Sequence, residues 1–196
     1  NLYTATDVRL RYNIAWLAAD DPHGAKRALD EGLAEWSSHG FHIQHYQFLL
    51  GNVQLALYQD DAHRAWELLE QKWSVLQRSL QFRVQLVRIE ALHLRGRAAL
   101  AMVSQGEPAA LLKYVDSMIE KLEEERMAWG SVLCMLLRAG LALAVAFDVR
   151  DLPHDMPSLR TLPQVFGPRM ATLLAVLLLV PMGVFLCAAL LVGRIA

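Results

Sequence analysis

A short stretch of sequence, Asp20-Asp21-x-His23-x-Ala25, returns 40 residues later as Asp60-Asp61-x-His63-x-Ala65. A third copy opens with Gly106-Glu107-Pro108. Each copy begins a segment whose apolar residues recur at i, i+4, i+8 and i+11, which is one face of an α-helix. The carboxylates at each opening suit a helix N-terminus, where backbone N–H groups lack intrahelical partners. The spacing therefore predicts three related helices, over 22–37, 61–78 and 107–125.

The apolar stripes of these three helices identify the candidate core. Their inward residues are Ala25, Leu29, Leu33 and Trp36; Ala65, Leu69, Trp73 and Leu76; and Leu111, Val115, Ile119 and Leu122. Longer apolar helices are predicted between them, over 41–58 and 82–103. No alternation of period two is long enough to make a sheet. Because such units cannot bury their apolar faces alone, we expect an all-α, helix-turn-helix repeat solenoid over residues 1–138.

Composition excludes several classes of protein. With 55% apolar and 20% charged residues, the chain is not intrinsically disordered. A net charge of −1 offers no basic patch for a nucleic acid partner. Cys134 and Cys187 both lie in apolar runs, which indicates neither a disulfide framework nor a zinc site. The chain begins at Asn1 without the pattern of a signal peptide, so we expect it to be a fragment of a longer protein.

The helical region resembles a known class of repeat. The residues that carry the resemblance are Ala18-Ala19-Asp20-Asp21-Pro22, the segment from Trp36 to Tyr46, and the segment from Arg83 to His93. Over about residues 7–138 they resemble tetratricopeptide-like (TPR-like) repeats, and more closely the C-terminal helical region of multidomain bacterial serine/threonine kinases. The resemblance implies a surface that binds a protein partner. It implies no kinase activity, because the chain has no Gly-rich loop, His-Arg-Asp or Asp-Phe-Gly.

Two sets of side chains in this region have competing interpretations. His39, His42 and His45 follow one another at three-residue spacing, as metal ligands on a helix do. The outer two diverge by about 120°, however, and no cysteine or clustered carboxylate completes a site. We therefore predict packed or helix-capping histidines. The five tryptophans lie mostly at inward positions and are predicted to belong to the core.

A membrane-spanning helix is predicted at the end of the chain. Residues 170–193 are 24 consecutive uncharged positions between Arg169 and Arg194. As a helix they extend about 36 Å, enough for the hydrocarbon layer of about 30 Å. The earlier apolar run over 127–147 is undecided, because Arg138 offsets the insertion free energy of its apolar residues.

An acidic motif lies between the two apolar runs. Asp148, Asp151 and Asp155 stand at i, i+3 and i+7, along one helix face. Hard oxygen ligands at this spacing suit Mg²⁺ bound together with a diphosphate, and Arg150 and Arg160 add anion-binding donors. The same residues also fit a solvated loop in which the acids pair with the arginines. From the residues alone, both interpretations stay open.

The motif from Asp148 to Gly167 resembles the second aspartate-rich motif of UbiA-type intramembrane prenyltransferases, and the likeness covers about residues 141–196. In that family the motif binds Mg²⁺ and the isoprenoid diphosphate at the cytoplasmic face. The resemblance implies a magnesium site at Asp148, Asp151 and Asp155, and diphosphate binding by Arg150 and Arg160. The family's first aspartate-rich motif and most of its membrane helices have no counterpart in this sequence.

These observations predict three regions: a helical array at 1–138, an Asp-rich juxtamembrane junction at 139–169 and a membrane helix at 170–193. The leading hypothesis is a membrane-anchored helical-repeat module that binds a protein partner and has no catalytic residue of its own. The alternatives are a fragment of a Mg²⁺-dependent prenyltransferase and the C-terminal regulatory region of a signalling kinase. Because three arginines precede the membrane helix and one follows it, the array is expected on the cytoplasmic side of a bacterial inner membrane.

Overall fold

The structure, a computed structural model, describes residues 2–34, 36–37, 39–104 and 109–151, with the backbone alone at 104, 109 and 146–151. These residues form α-helices and one short 3₁₀ helix, and no strand occurs among them. The α-helices are α1 (Leu2–Arg11), α2 (Ile14–Ala18), α3 (Pro22–Ala34), α4 (Ile43–Tyr58), α5 (Ala62–Arg78), α6 (Gln85–Ser104), α7 (Ala109–Glu124) and α8 (Ala128–Asp151). The 3₁₀ helix, Leu80–Arg83, links α5 to α6. The all-α prediction is confirmed over these residues, and the chain divides into two compact units, Asn1–Ala101 and Met102–Ala196.

The turns before α3 and α5 have the same backbone geometry. Asp20 and Asp60 are both left-handed, with φ of 57° and 59°. The N–H of the next residue, Asp21 or Asp61, donates to a carbonyl five residues back at 2.9 Å in both turns, which is the closing bond of a Schellman motif. The same aspartate then caps the following helix, because its Oδ1 accepts from the N–H three residues on, at 2.7 and 2.9 Å. One helix thus ends and the next begins within three residues.

The third copy of this motif begins at residues 106–108, which lie outside the described residues. A solenoid of repeats therefore stays a prediction.

The core of the first unit forms around α4, which packs against α1, α3 and α5. The predicted inward residues Ala25 and Leu29 of α3, and Ala65 and Leu69 of α5, are fully buried. Gly51 of α4 is required at the α3 contact, because a Cβ there would lie 2.5 Å from the Cδ2 of Leu29. The helical periodicity therefore predicted these buried positions of α3 and α5. The predicted helix over 22–37 ends earlier, at Ala34, so Trp36 lies beyond it. Leu33 and Trp73, also predicted inward, are half-buried.

The second unit contains α7 packed against α8. Val115, Ile119 and Leu122 of α7 are buried, as the sequence predicts. Arg138 of α8 forms an ion pair with Glu123 of α7 at 2.7 Å, and both side chains are about half exposed. Helix α8 continues without a break through Arg138. The predicted domain boundary at residue 138 is not marked by a helix end and stays a prediction.

Among the described residues, one helix is long and apolar enough to cross a membrane, at Ala128–Val145 of α8. One third of this window is buried within the protein. Its exposed apolar residues form one stripe at helical spacing: Trp129, Val132, Leu136 and Leu143. By its length and composition, α8 is a candidate membrane-spanning helix. A packed helix of a water-soluble protein meets the same two criteria. The predicted membrane helix over 170–193 lies outside the described residues.

The prediction that the tryptophans belong to the core is confirmed only in part. Trp16 and Trp129 are exposed, and the other three are half-buried. Of these three, Trp66 and Trp73 pack against clusters of buried core residues. Trp66 and Trp73 flank the guanidinium of Arg95, whose central carbon lies 5.3 and 4.2 Å from their ring centroids. Arg95 also pairs with Glu70 of α5. Trp66 and Trp73 thus each contact an arginine of α6 as well as the apolar core.

Candidate functional site

A groove of about 570 Å³ opens between the end of α3, the segment 36–41, α4 and α5. Its lining is mostly apolar, with a few polar side chains at its edge. This volume is within the usual range of ligand pockets, about 300–1,000 Å³. This mostly apolar concave surface with a few polar groups is therefore the candidate binding site of the first unit.

Two helices form the long walls of the groove. Helix α4 contributes His45, Phe48 and Asn52, which lie on one face because they are spaced by three and four residues. Helix α5 contributes Leu68 and Val75, together with Gln71 and Lys72 between them. The short turn after Tyr58 makes the two helices antiparallel neighbours, and α4 packs along α5. The N-terminal half of α4 therefore faces the C-terminal half of α5 across the groove.

Aromatic contacts hold the third wall, the segment between α3 and α4. The indole Nε1–H of Trp36 donates to Nδ1 of His42 at 3.1 Å, and the two rings meet edge to face. Tyr3 of α1 contacts the other side of Trp36, with ring centroids 6.0 Å apart. Phe41 stacks on His45 at 5.8 Å. Gly40, with φ of +78°, supplies the left-handed residue that returns the chain to α4. These contacts fix Trp36 and Phe41 as apolar surfaces of the groove.

The histidines of this segment act in helix capping. His42 is the N-cap of α4, and its backbone N–H donates to Nδ1 of His45 at 3.0 Å. The prediction of packed or capping histidines is confirmed for this pair. Burial first, and then the nearby positive charges of His42 and Lys72, lower the pKa of His45. A hydrogen bond from its ring to the backbone of Ser37 acts in the opposite direction. Since Nδ1 accepts a hydrogen bond, the neutral ring carries its proton on Nε2.

The polar groups at the edge of the groove differ in the hydrogen-bond donors and acceptors that remain available to a ligand. Asn52 donates through Nδ2 to the carbonyl of Phe48 at 2.8 Å, and Gln71 donates through Nε2 to Glu67 at 3.0 Å. Each carboxamide thus turns a donor toward its own helix and keeps its oxygen as an acceptor. Lys72 makes no hydrogen bond or ion pair with the described residues. Among the described lining residues it is the one full charge, and none is a carboxylate.

The residues predicted for the magnesium site are only partly within the described chain. Asp148, Arg150 and Asp151 lie on the last turn of α8, where the backbone alone is described. Asp155 and Arg160 lie outside the described residues. Over the described ranges, no group of three or more His, Cys, Asp and Glu side chains is arranged to hold a metal ion. The magnesium and diphosphate sites therefore stay predictions from the resemblance.

The groove itself was not predicted from the sequence. Its signal is a second stripe at three- and four-residue spacing on α4 and α5, beside the buried stripe. On α5 this stripe mixes Leu68 and Val75 with Gln71 and Lys72, a pattern that an ordinary exposed helix face also shows. No protein-family model, curated protein or solved structure matches the chain. Its functional assignment therefore depends on the chemistry of the groove and of the helices that form it.

Proposed function

We propose that this chain is a membrane-anchored helical module that binds a protein partner and carries out no chemistry itself. One observation carries the proposal: the groove of about 570 Å³, lined by Trp36, Phe41 and Phe48 and edged by hydrogen-bonding groups. Rigid aromatic surfaces with a polar edge are typical of sites that take an apolar side chain of a partner. The groove extends along two parallel walls, which suits an extended peptide segment.

The anchor in this proposal is the apolar segment 170–193, with 24 uncharged residues. Arg150, Arg160 and Arg169 precede it and Arg194 follows it, so the helical array belongs on the cytoplasmic side of a bacterial inner membrane. We further propose that the array is a TPR-like solenoid. The shared geometry of the turns at Asp20 and Asp60 supports this part of the proposal.

The test uses the full chain in lipid nanodiscs as bait for a random peptide library displayed on phage. The groove is blocked by Val75→Glu, because Val75 lines it and is 39% exposed, so the new carboxylate is tolerated by the fold. The matched control is Leu86→Glu, which introduces the same charge at a residue of α6 that is 57% exposed and does not line the groove. Circular dichroism of both variants checks that helical content is unchanged.

The proposal expects peptides that are enriched on the wild type and on Leu86→Glu, with affinity lowered at least about tenfold by Val75→Glu. We expect this loss because the apolar side chain of the bound peptide would remove water from the new carboxylate at residue 75, which costs free energy. Peptides bound equally by all three proteins would place binding elsewhere and refute the groove as the site. Failure of the wild type to enrich any peptide would refute the interaction module.

A further inference from the structure

We infer that the groove selects an acidic partner segment, in which an apolar side chain contacts Trp36, Phe41 and Phe48 and a neighbouring carboxylate pairs with Lys72. This inference rests on the proposed function and specifies the chemistry of the partner. Lys72 is the one full charge among the described residues of the lining, and no described carboxylate there competes for it. Charge complementarity therefore favours an anionic ligand over a cationic one.

The hydrogen-bonding groups agree with this assignment. Lys72 acts on the titration of His45, so the two side chains are electrostatic neighbours at the same end of the groove. The ring of His45 already has partners, because its Nδ1 accepts from the N–H of His42 and its other nitrogen is hydrogen-bonded to the backbone of Ser37. The ammonium group of Lys72 is therefore the donor that this part of the lining offers to a carboxylate.

The carboxamide oxygens complete the match to a peptide. Asn52 and Gln71 each direct an NH₂ donor to their own helix and keep an oxygen as acceptor at the groove edge. A peptide main chain supplies N–H donors to such oxygens. A simple fatty acid has a carboxylate and an apolar chain but no such donors. The combination of the donor at Lys72 with acceptors at Asn52 and Gln71 therefore favours a peptide as the occupant.

The experiment repeats the phage selection on the full chain in nanodiscs with Lys72→Ala and Lys72→Glu. Lys72 is exposed, so neither substitution disturbs the core. The matched control is Arg83→Glu, which changes the net charge as Lys72→Glu does at an exposed residue outside the lining. Selected peptides are then synthesised with Asp or Glu replaced by Asn or Gln, and binding is measured by fluorescence anisotropy at low and high salt.

We expect peptides selected by the wild type and by Arg83→Glu to combine an aromatic or branched apolar residue with Asp or Glu. Lys72→Ala should weaken them up to about fivefold, as for an exposed ion pair, and high salt should remove this difference. Lys72→Glu should select basic residues in place of acidic ones, while the apolar preference remains.

Two outcomes would overturn the inference and leave the proposed function standing, and a third would overturn both. Enriched peptides that depend on Val75 but carry no excess of acidic residues would show that the groove binds peptides without Lys72. Acidic peptides that bind Lys72→Glu as well as the wild type would place the carboxylate elsewhere. If no peptide is enriched but sodium dodecanoate binds and Val75→Glu abolishes its binding, the groove accepts a small amphiphile and not a peptide.

Discussion

Arg95 is the residue whose replacement should be most informative about the packing of α5 against α6. Its side chain is 7% exposed and lies beside the rings of Trp66 and Trp73, while its partner Glu70 is 49% exposed. Each cation–π contact stabilises by about 1 kcal/mol when it is partly desolvated. The ion pair adds about 1 kcal/mol at most, because water screens the half-exposed Glu70. Arg95→Ala should therefore lower the local stability of these helices by about 3 kcal/mol.

The measurement is amide hydrogen exchange of the full chain in nanodiscs, followed by mass spectrometry of peptides from α5 and α6. A loss of 3 kcal/mol corresponds to about 140-fold faster exchange of the most protected amides. Arg95→Met keeps most of the volume between the rings but removes the cation–π contacts and the ion pair, so we expect it to lose most of the same stability.

The matched control is Arg64→Ala on α5, where Arg64 pairs with Glu67 at 2.7 Å but both side chains are more than half exposed. In this control, the local stability derived from amide exchange should change by less than about 0.5 kcal/mol. The reasoning is refuted if Arg95→Ala changes exchange no more than Arg64→Ala does. It is also refuted if Arg95→Met is as stable as the wild type, because the loss in Arg95→Ala would then come from the missing volume and not from the charge.

Four other predictions concern the turns, the pH response, the anchor and the absence of catalysis. In the same exchange measurement, Asp60→Val should destabilise the α4–α5 turn by about 1–2 kcal/mol, because a β-branched residue is strained at φ of 59°. Asp60→Gly should stay within about 0.5 kcal/mol of the wild type, because glycine adopts this φ without strain. Burial first, and then the charge of Arg97, lower the pKa of His93 to about 4. Because the unfolded state binds this proton more readily, the free energy of unfolding should fall as the pH drops from about 6.5 toward 4. In urea titrations, His93→Gln should reduce this dependence on pH. The full chain should stay in the membrane fraction after carbonate extraction, and deletion of residues 170–193 should release it; release of the intact chain would contradict the anchor. The full chain with Mg²⁺, a labelled prenyl diphosphate and aromatic acceptors should give no product, because a single acidic motif encloses no water-excluded cavity; turnover that is lost in Asp151→Asn would contradict this.

Local periodicity accounts for the part of the fold that the sequence predicts well. Ala25 and Leu29, like Ala65 and Leu69, follow an acidic helix start at fixed spacing, and one buried face is enough to explain them. Their burial follows from the helix period, which is a local property of the sequence. It can therefore be predicted without knowing which helix packs against them.

The groove and the arginine contact depend on partners that are distant in sequence. Trp36 and His42 both lie between α3 and α4, so no helical period relates the two residues. Arg95 lies on α6, and its ring partners Trp66 and Trp73 lie on α5, so their meeting depends on how two helices cross. A tryptophan that packs on a guanidinium and one that packs only on apolar side chains have the same helical spacing. The sequence pattern therefore could not predict the contact of Trp66 and Trp73 with Arg95.

The turns at Asp20 and Asp60 also restrict how this chain tolerates changes in length. Each turn ends one helix and starts the next within three residues, so it has no slack to absorb an inserted residue. One extra residue inside α5 would rotate everything after it by about 100° and turn part of the Ala65–Leu69 face toward water. Insertions, affinity tags or fluorescent labels should therefore be rejected at residues 19–21 and 59–61.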